Sequence, residues 1–577
     1  MVDEPDTEHV TINVDGEDVR VPPGANLVTA LENTGRKVPH YCYHEKLTVA
    51  GSCRMCLVET GDPLRDNATG APLLDEAGKP RVGWAPKPVI ACGTTTRHGL
   101  HVRLHSPALK RCREGITEFL LTNHPLDCPI CDQAGECRLQ EYAMQYGRGT
   151  SRYDDAKNAK PKHVRLGPRV IYDATRCILC SRCIRFCREV TGEATLGFVD
   201  RGPHNFISCA PGRELDGNYS LNTVDLCPVG ALTSLDFRFK MRVWFLACTA
   251  SICTESSVGV NTTIWSREGV IYRITPRRND AVNDTWMPDS GRELYKCINT
   301  PKRLDTHVRD GIAVGANEAV AAAARLLRER HVAYVASSHL CVEEQALVAR
   351  LASLIPGPVY LPRHCGENDG LLLSEDRSPN TRGALITGLV DHLPDSDLTA
   401  LAASVERGEV NTLLVFREDI TRLGMPTEWL RKTGLRIIYI GTHADDTVTH
   451  ATVVLPGLLV FEKSGTFVNA QFRLQKFFAA VPGPANVSPE IATLLRLIEK
   501  TQTPDQPALS AENPPALLDA LWSELGALPG PLHGIDHTTI PSTGLLLDGT
   551  PWRHLPFPET KMLHHAPAQA PARLHTA

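Results

Sequence analysis

Three groups of metal-binding residue types, each at a spacing that metals select, crowd the first half of this chain. The first is Cys42, Cys53, Cys56 and Cys92; the second is His124, Cys128, Cys131 and Cys137; the third is Cys177, Cys180, Cys183 and Cys227. Thiolates are soft, charged donors that hold iron through several oxidation states. A Cys-x2-Cys step lets two of them point into one loop-lined pocket. Three such groups in succession suggest one-electron carriers in series. Of 19 cysteines, all but Cys341 and Cys365 lie at or before Cys297, so a boundary in cysteine use marks a boundary in chemistry.

Each group has a competing reading. Four cysteines can hold a [2Fe–2S] cluster or structural zinc. For the first group, a hairpin and helix ahead of the loop and the glycine in Ala50-Gly51-Ser52 favour iron. The second group, by spacing alone, divides evenly between a [4Fe–4S] cluster and zinc held by three cysteines and a histidine. An imidazole there removes one negative charge and would raise a cluster's potential. The third group is the Cys-x2-Cys-x2-Cys-x3-Cys run of bacterial ferredoxins, whose fourth cysteine serves a second cluster. Cys187 fills that position, but the second cluster's own cysteines would stand where the chain has Gly217, Ser220 and Thr223. One [4Fe–4S] cluster on Cys177, Cys180, Cys183 and Cys227 is expected, with Cys187 present but not a ligand. Cys112 and Cys209 lack partners at cluster spacing and read as small apolar residues.

Elements must position these loops. Residues 10–21 read as a β-hairpin turning at Asp15-Gly16, and Leu27, Ala30 and Leu31 share a helical face closed by Gly35. A hairpin, a helix and a cysteine-bearing loop is the order of a β-grasp ferredoxin. Residues 60–88, rich in Gly, Pro and charge, read as a surface loop. Residues 107–123 read as a helix with Ile116, Phe119 and Leu120 on one face. From about 241 the texture changes. Apolar runs at 333–336, 412–416 and 437–440 alternate with helical stretches at 315–330 and 342–354, which predicts a parallel α/β sheet.

With 577 residues, three or four domains are expected. A net charge of −5 argues against a nucleic-acid binder. No apolar run is long enough for a membrane-spanning helix. The acidic start MVDEPDTEHV has the features of neither a secretory signal nor a transit peptide. Disulfides are accordingly not expected.

The segments HYCYHEKLTVAGSCRMCLVE (40–59), NHPLDCPICDQAGECRLQ (123–140) and RCILCSRCIRFC (176–187) resemble a known family. It is the large iron–sulfur subunit of the NADH:quinone oxidoreductase peripheral arm, the G subunit of bacterial complex I. The resemblance implies that His124 and its three cysteines bind a [4Fe–4S] cluster. It implies a multidomain α+β and α/β protein. A β-grasp [2Fe–2S] ferredoxin domain would span 1–106, a [4Fe–4S] domain with one histidine and three cysteine ligands 107–150, and a ferredoxin-like [4Fe–4S] domain 151–240. A molybdopterin-oxidoreductase-like α/β domain would follow at 241–530, on the likeness of THATVVLPG (449–457) and EKSGTFVNAQFRLQ (462–475), and an irregular arm at 531–577. The arm's His533, His537, His554, His564, His565 and His575 show no ligand spacing.

Some family members carry Cys-x2-Cys-x3-Cys-x27-Cys at the entry to the later half. From Cys253 those positions read Cys253, Ser256, Val260 and Pro288, and Cys248 and Cys297 stand at the wrong spacing. One [2Fe–2S] and two [4Fe–4S] clusters are therefore expected, with no fourth cluster and no molybdenum. The implied role is an electron relay from a flavin subunit toward quinone in a proton-translocating complex, with no catalysis by the isolated chain. The resemblance implies as partners the flavin- and NADH-binding subunit, its small [2Fe–2S] companion and the quinone-module subunits. It places the chain peripherally on the cytoplasmic side of a bacterial membrane, bound there only through the complex. The alternative is a cluster-bearing subunit of a formate dehydrogenase or hydrogenase complex.

Overall fold

The computed structural model describes residues 9–558 except 67, 77, 330 and 503–513. The histidines at 564, 565 and 575 lie outside the described residues. The chain divides into two compact units, with the boundary between Phe245 and Leu246.

Unit 1 begins with the expected hairpin. Val10–Val14 pairs antiparallel with Glu17–Val21, and Asp15 and Gly16 both take positive φ, 51° and 95°, as a two-residue turn between right-twisted strands requires. Val10–Val14 then pairs in parallel with His101–Arg103, which pairs antiparallel with Leu57–Pro63. Helix α1 (Leu27–Asn33) buries Leu27, Val28, Ala30 and Leu31 in the same apolar core as Ile12, Val14, Val19 and Val21. Its N-cap, Asn26, accepts from the Val28 N–H at 3.0 Å through its side chain, satisfying a donor the first turn leaves open.

Two expectations are corrected here. The stretch 60–88 is a paired ribbon rather than a plain loop. Leu57–Pro63 continues antiparallel to Val82–Trp84, and isolated bridges join Arg65 to Pro72 and Leu74 to Pro80. Gly, Pro and charge marked its turns but hid its pairing, because such pairing is a backbone property. In helix α2 (Pro107–Asn123) the buried positions are Leu109, Arg113 and Thr117, whereas Phe119 is 79% exposed. Arg113 is held inside by donating to the Leu104 and Leu57 carbonyls at 2.9 and 3.2 Å, so an apolar-only pattern picks the wrong face.

The rest of unit 1 is short and loop-rich. Helices α3 (Arg138–Tyr146), α4 (Arg182–Glu189) and α5 (Asn222–Leu226) accompany two small antiparallel sheets.

Unit 2 opens with a three-stranded antiparallel sheet, Ala247–Ile252, Asn261–Arg267 and Val270–Pro276. Its main sheet has seven strands. Val453–Pro456, Arg436–Gly441, Thr412–Phe416, Val332–Val335 and Val359–Tyr360 run parallel, and His307–Arg309 and Ile312–Val314 add an antiparallel edge. Val332–Val335 and Thr412–Phe416 are buried along their whole length, as strands covered on both faces must be. Helices α6 (Asp289–Glu293), α7 (Ala316–Arg328) and α8 (Val342–Leu354) precede or connect these strands.

The expected arm is irregular but packed as far as it is described. Leu545–Leu546 adds a strand to Arg473–Phe477, Ile540 is buried, and Trp552 stacks on Phe472 at 5.7 Å. No helix among the described residues is long and apolar enough to cross a membrane.

Candidate metal centres

In the first group Cys42, Cys56 and Cys92 are buried and Cys53 is half-buried. The thiols stand in two hydrogen-bonded pairs, Cys42 with Cys53 and Cys56 with Cys92. The hydrogen bond from Cys53 brings the Cys42 thiol down to about 5, and the one from Cys92 lowers Cys56. The second member of each pair is pushed up, because two adjacent thiols do not both ionise cheaply. Two pairs suit a two-iron core, with two thiolates for each iron. Gly51 and Arg54, at φ 61° and 58°, fold the loop back on itself, and the Tyr41 N–H points to Cys53 Sγ at 3.5 Å. Asn26, the cap of α1, also donates to the Cys92 carbonyl at 2.7 Å, so one side chain joins the helix to the ligand turn.

The second group sits at helix ends. His124 is the C-cap of α2 and Cys137 the N-cap of α3, with Cys128 opening the short turn Cys128–Ile130 between them. Cys131 is buried and Cys128 exposed. Cys131 and Cys137 each feel the charge of Cys128, and His124 shares Arg176 as a charged neighbour with Cys131. Burial, with Arg176 and Lys157 nearby, pushes His124 down to about 4. Its imidazole is therefore neutral at physiological pH and keeps a lone pair for a metal. Gly230 lies against Cys131; a Cβ there would come within 2.2 Å of Sγ. Arg242 donates to the Cys131 carbonyl at 2.6 Å and to that of Pro129.

The third group lines a cavity. Cys177, Cys180, Cys183 and Cys227 surround it with Tyr172, Ile178, Arg182, Ile207 and Val229. Burial pushes Cys177, Cys180 and Cys227 up to about 11. Thiols so placed are protonated at neutral pH and would ionise on binding a cationic core. Leu179 and Ser181 hold positive φ, 55° and 60°, without being glycine. Such strain tends to collect at functional loops, and here it turns Cys180 between its neighbours. Tyr172 bonds to Cys177, and the Leu179 N–H lies 3.4 Å from the same sulfur.

Cys187 is buried but does not line that cavity. Where a second cluster would lie, Glu193 fills the space against Gly217, and Thr223 donates to the Ser220 carbonyl at 2.7 Å. In unit 2 the Cys253 N–H donates to the Val260 carbonyl at 2.7 Å, and Cys253 Sγ packs on Gly291 of α6, just after Pro288. Cys253 and Val260 are thus brought together, but Cys253 is the one thiol among Cys253, Ser256, Val260 and Pro288. Among the described residues, no three His, Cys, Asp or Glu side chains are arranged to hold a single metal ion.

Tyr172, Asn26 and Gly230 carry no spacing signal that the sequence alone would flag. Only Asn26 leaves a trace there, as a cap residue before an apolar helical run.

Similarity to known proteins follows the same division. Residues 7–107 match a 2Fe-2S iron-sulfur cluster binding domain, 113–152 the NADH-ubiquinone oxidoreductase-G iron-sulfur binding region, and 167–233 the ferredoxin-like domain of NADH-quinone oxidoreductase subunit 3. Residues 246–296 match an NDSU1/NuoG-like 4Fe-4S domain, although that span holds cysteines only at Cys248 and Cys253. Residues 310–500 match molybdopterin oxidoreductase.

The G subunit of the NADH-quinone oxidoreductase of Rickettsia felis is 40% identical over 297 residues, 51% of this chain and 40% of that protein. The mitochondrial NADH dehydrogenase iron-sulfur protein 1 of Solanum tuberosum is 38% identical over 324 residues, 56% of this chain and 41% of that one. A solved chain of an NAD+-reducing [NiFe]-hydrogenase shares 27% identity with a TM-score of 0.33, over 41% of this chain and 91% of that one. The chain thus spans about 40% of the length of the Rickettsia relative it matches. Over the half that carries the cysteine groups, the chain is similar to NADH-quinone oxidoreductase G subunits.

Proposed function

We propose that this chain is the iron–sulfur relay subunit of an NADH:quinone oxidoreductase. It would hold a [2Fe–2S] cluster on Cys42, Cys53, Cys56 and Cys92. It would hold [4Fe–4S] clusters on His124, Cys128, Cys131 and Cys137 and on Cys177, Cys180, Cys183 and Cys227. The observation that carries this reading is the cavity ringed by the four thiols of the third group, with Cys187 outside it. Bound in these places, the clusters would supply one-electron carriers whose potentials respond to burial and to hydrogen bonds on sulfur.

The chain's own residues position and insulate. The Tyr41 and Leu179 N–H groups and the Tyr172 hydroxyl are aimed at sulfur, and donors of that kind raise potentials. Gly230 brings the backbone that follows Cys227 onto Cys131, which supports passage from the third group to the second. The first group would receive electrons from a flavin- and NADH-binding subunit and its small [2Fe–2S] companion. The second would deliver them to subunits of the quinone module, on the cytoplasmic face of the membrane. Of the twelve ligands only Cys128 is exposed, which supports exit through the second group.

The test is the iron and acid-labile sulfide content of the purified full chain, with electron paramagnetic resonance of its reduced form. About ten irons and three signals are expected. A zinc protein without signals sinks the reading. About fourteen irons would restore a fourth cluster near Cys253, and stoichiometric molybdenum would favour a formate dehydrogenase.

A further inference from the structure

A guanidinium taken out of water ordinarily meets a carboxylate, since an uncompensated buried charge costs several kcal/mol. Besides Arg113 of α2, the buried Arg182 and Arg185 and the half-buried Arg138 of unit 1 do not. Arg182 and Arg185 of α4 are 4% and 5% exposed. Arg182 donates to the Leu226 carbonyl at 3.2 Å and to that of Tyr43. Arg185 donates to the carbonyls of Thr48, Cys42 and Cys180 and, through Nε, to Ser181 Oγ at 3.2 Å. Arg138, the residue after Cys137, reaches His40 Nε2 at 2.9 Å, and its own N–H donates to the Pro228 carbonyl at 3.1 Å. Among the described residues none of the three forms an ion pair with a carboxylate. Glu189, at the end of α4, receives the Thr48 N–H and hydroxyl instead.

The placement is specific. Each arginine is within a few residues of a candidate ligand and binds the backbone or imidazole of another group's loop. Residues 40–48 of the first group are thereby gripped from both other groups. Three cations at one junction bind carbonyls, a hydroxyl and an imidazole; the one carboxylate at that imidazole, Glu32, lies 3.6 Å from Nδ1 and is itself exposed. Each all-thiolate cluster carries net negative charge, which grows by one on reduction.

We propose that Arg138, Arg182 and Arg185 form a shared cationic hub whose counter-charge is the clusters themselves. Arg182 and Arg185 thereby raise the reduction potentials of the first and third groups together. The inference rests on the relay reading above. These are positioning and tuning residues: they bind the loops that carry the ligands and act on the redox sites through charge.

The test is a redox titration of the full chain followed by electron paramagnetic resonance, comparing Arg182→Gln, Arg185→Gln and Arg182→Lys with the parent. Each glutamine variant is expected to shift the one-electron equilibrium of the first and third groups about tenfold toward the oxidised form, about 59 mV downward. The His124 group should move less, and Arg182→Lys should restore the parent values. Unchanged potentials with all signals present would overturn the hub. If Arg182→Gln loses a cluster, retention in Arg182→Lys supports the charge argument, and loss in both overturns it. A parent chain without iron and sulfide would sink the relay reading itself, a failure visible before any variant is made.

Discussion

The two units differ in how they balance much of their buried charge. In unit 2 every prominent buried cation has its anion. Lys463 lies between Glu344 and Glu490, Arg417 binds Glu490, Arg303 meets Glu462 at 2.6 Å, and Arg382 meets Asp376 at 2.7 Å. Glu343 is hydrogen-bonded by Trp522 Nε1 at 2.8 Å and by the Thr466 N–H at 3.1 Å. Much of this network lies at the carboxyl ends of the parallel strands. Arg417 follows Thr412–Phe416 directly, at a positive φ of 57°. Open α/β sheets receive their ligands at that edge; here its charges already satisfy one another. In unit 1, Arg138, Arg182 and Arg185 meet uncharged partners on loops that carry candidate ligands. Unit 2 balances these cations within the polypeptide; in unit 1 Arg176 has Asp127 and Asp173, whereas Arg138, Arg182 and Arg185 would be balanced by the clusters proposed above.

Removing iron should break that comparison most visibly. Treating the full chain with a chelator under reducing conditions is expected to abolish cooperative unfolding of unit 1, because metal binding there is folding free energy. Unit 2 should keep its own transition, as followed by calorimetry and hydrogen exchange. Loss of both transitions together would show that the units share one stability.

The converse experiment attacks unit 2. Glu490→Ala leaves Arg417 and Lys463 short of a buried partner and should cost about 3–5 kcal/mol, read by denaturant unfolding, with the unit 1 resonance signals intact. Acid should do the same gradually. Burial pushes the Glu490 carboxyl up, but Lys463 and Arg417 outweigh it and hold it down at about 2, against about 4.3 in an unfolded chain. A depressed carboxylate stabilises the fold above the unfolded value. That contribution should therefore fade as pH drops from about 4.3 toward 2 and be absent from the Glu490→Ala variant.

Finer contrasts lie inside unit 1. Gly230→Ala would drive a Cβ into Cys131 Sγ and should remove the His124-group signal while the Cys177-group signal survives. Cys187→Ala should keep all three signals and cost only about 1 kcal/mol, a small unfilled cavity. Loss of a cluster signal in that variant would make Cys187 a ligand.

Much of this was legible in the chain. Thr412–Phe416 and Val342–Leu354 form where the apolar pattern placed them, because a strand buried on both faces and a helix carry their periods in local sequence. What misled were places where a polar group is buried for its partners. Arg113 holds two carbonyls on the inner face of α2, and Pro-rich residues 60–88 pair through backbone. The segment after 530 looked unpatterned, yet Leu545–Leu546 and Trp552 find their partners in Arg473–Phe477 and Phe472, far earlier in the chain.

The sequence alone picked out the candidate metal ligands, since thiol chemistry and spacing are local properties. It also determined that the Cys253 loop lacks its other ligands. The tertiary structure decided that the first group's thiols stand in pairs and that Gly230 seats the third group's loop on the second. It also decided that three arginines meet among the groups without a carboxylate. Those facts join residues as far apart as Tyr43 and Arg182, and charge balance between such distant residues exists only once the chain has folded.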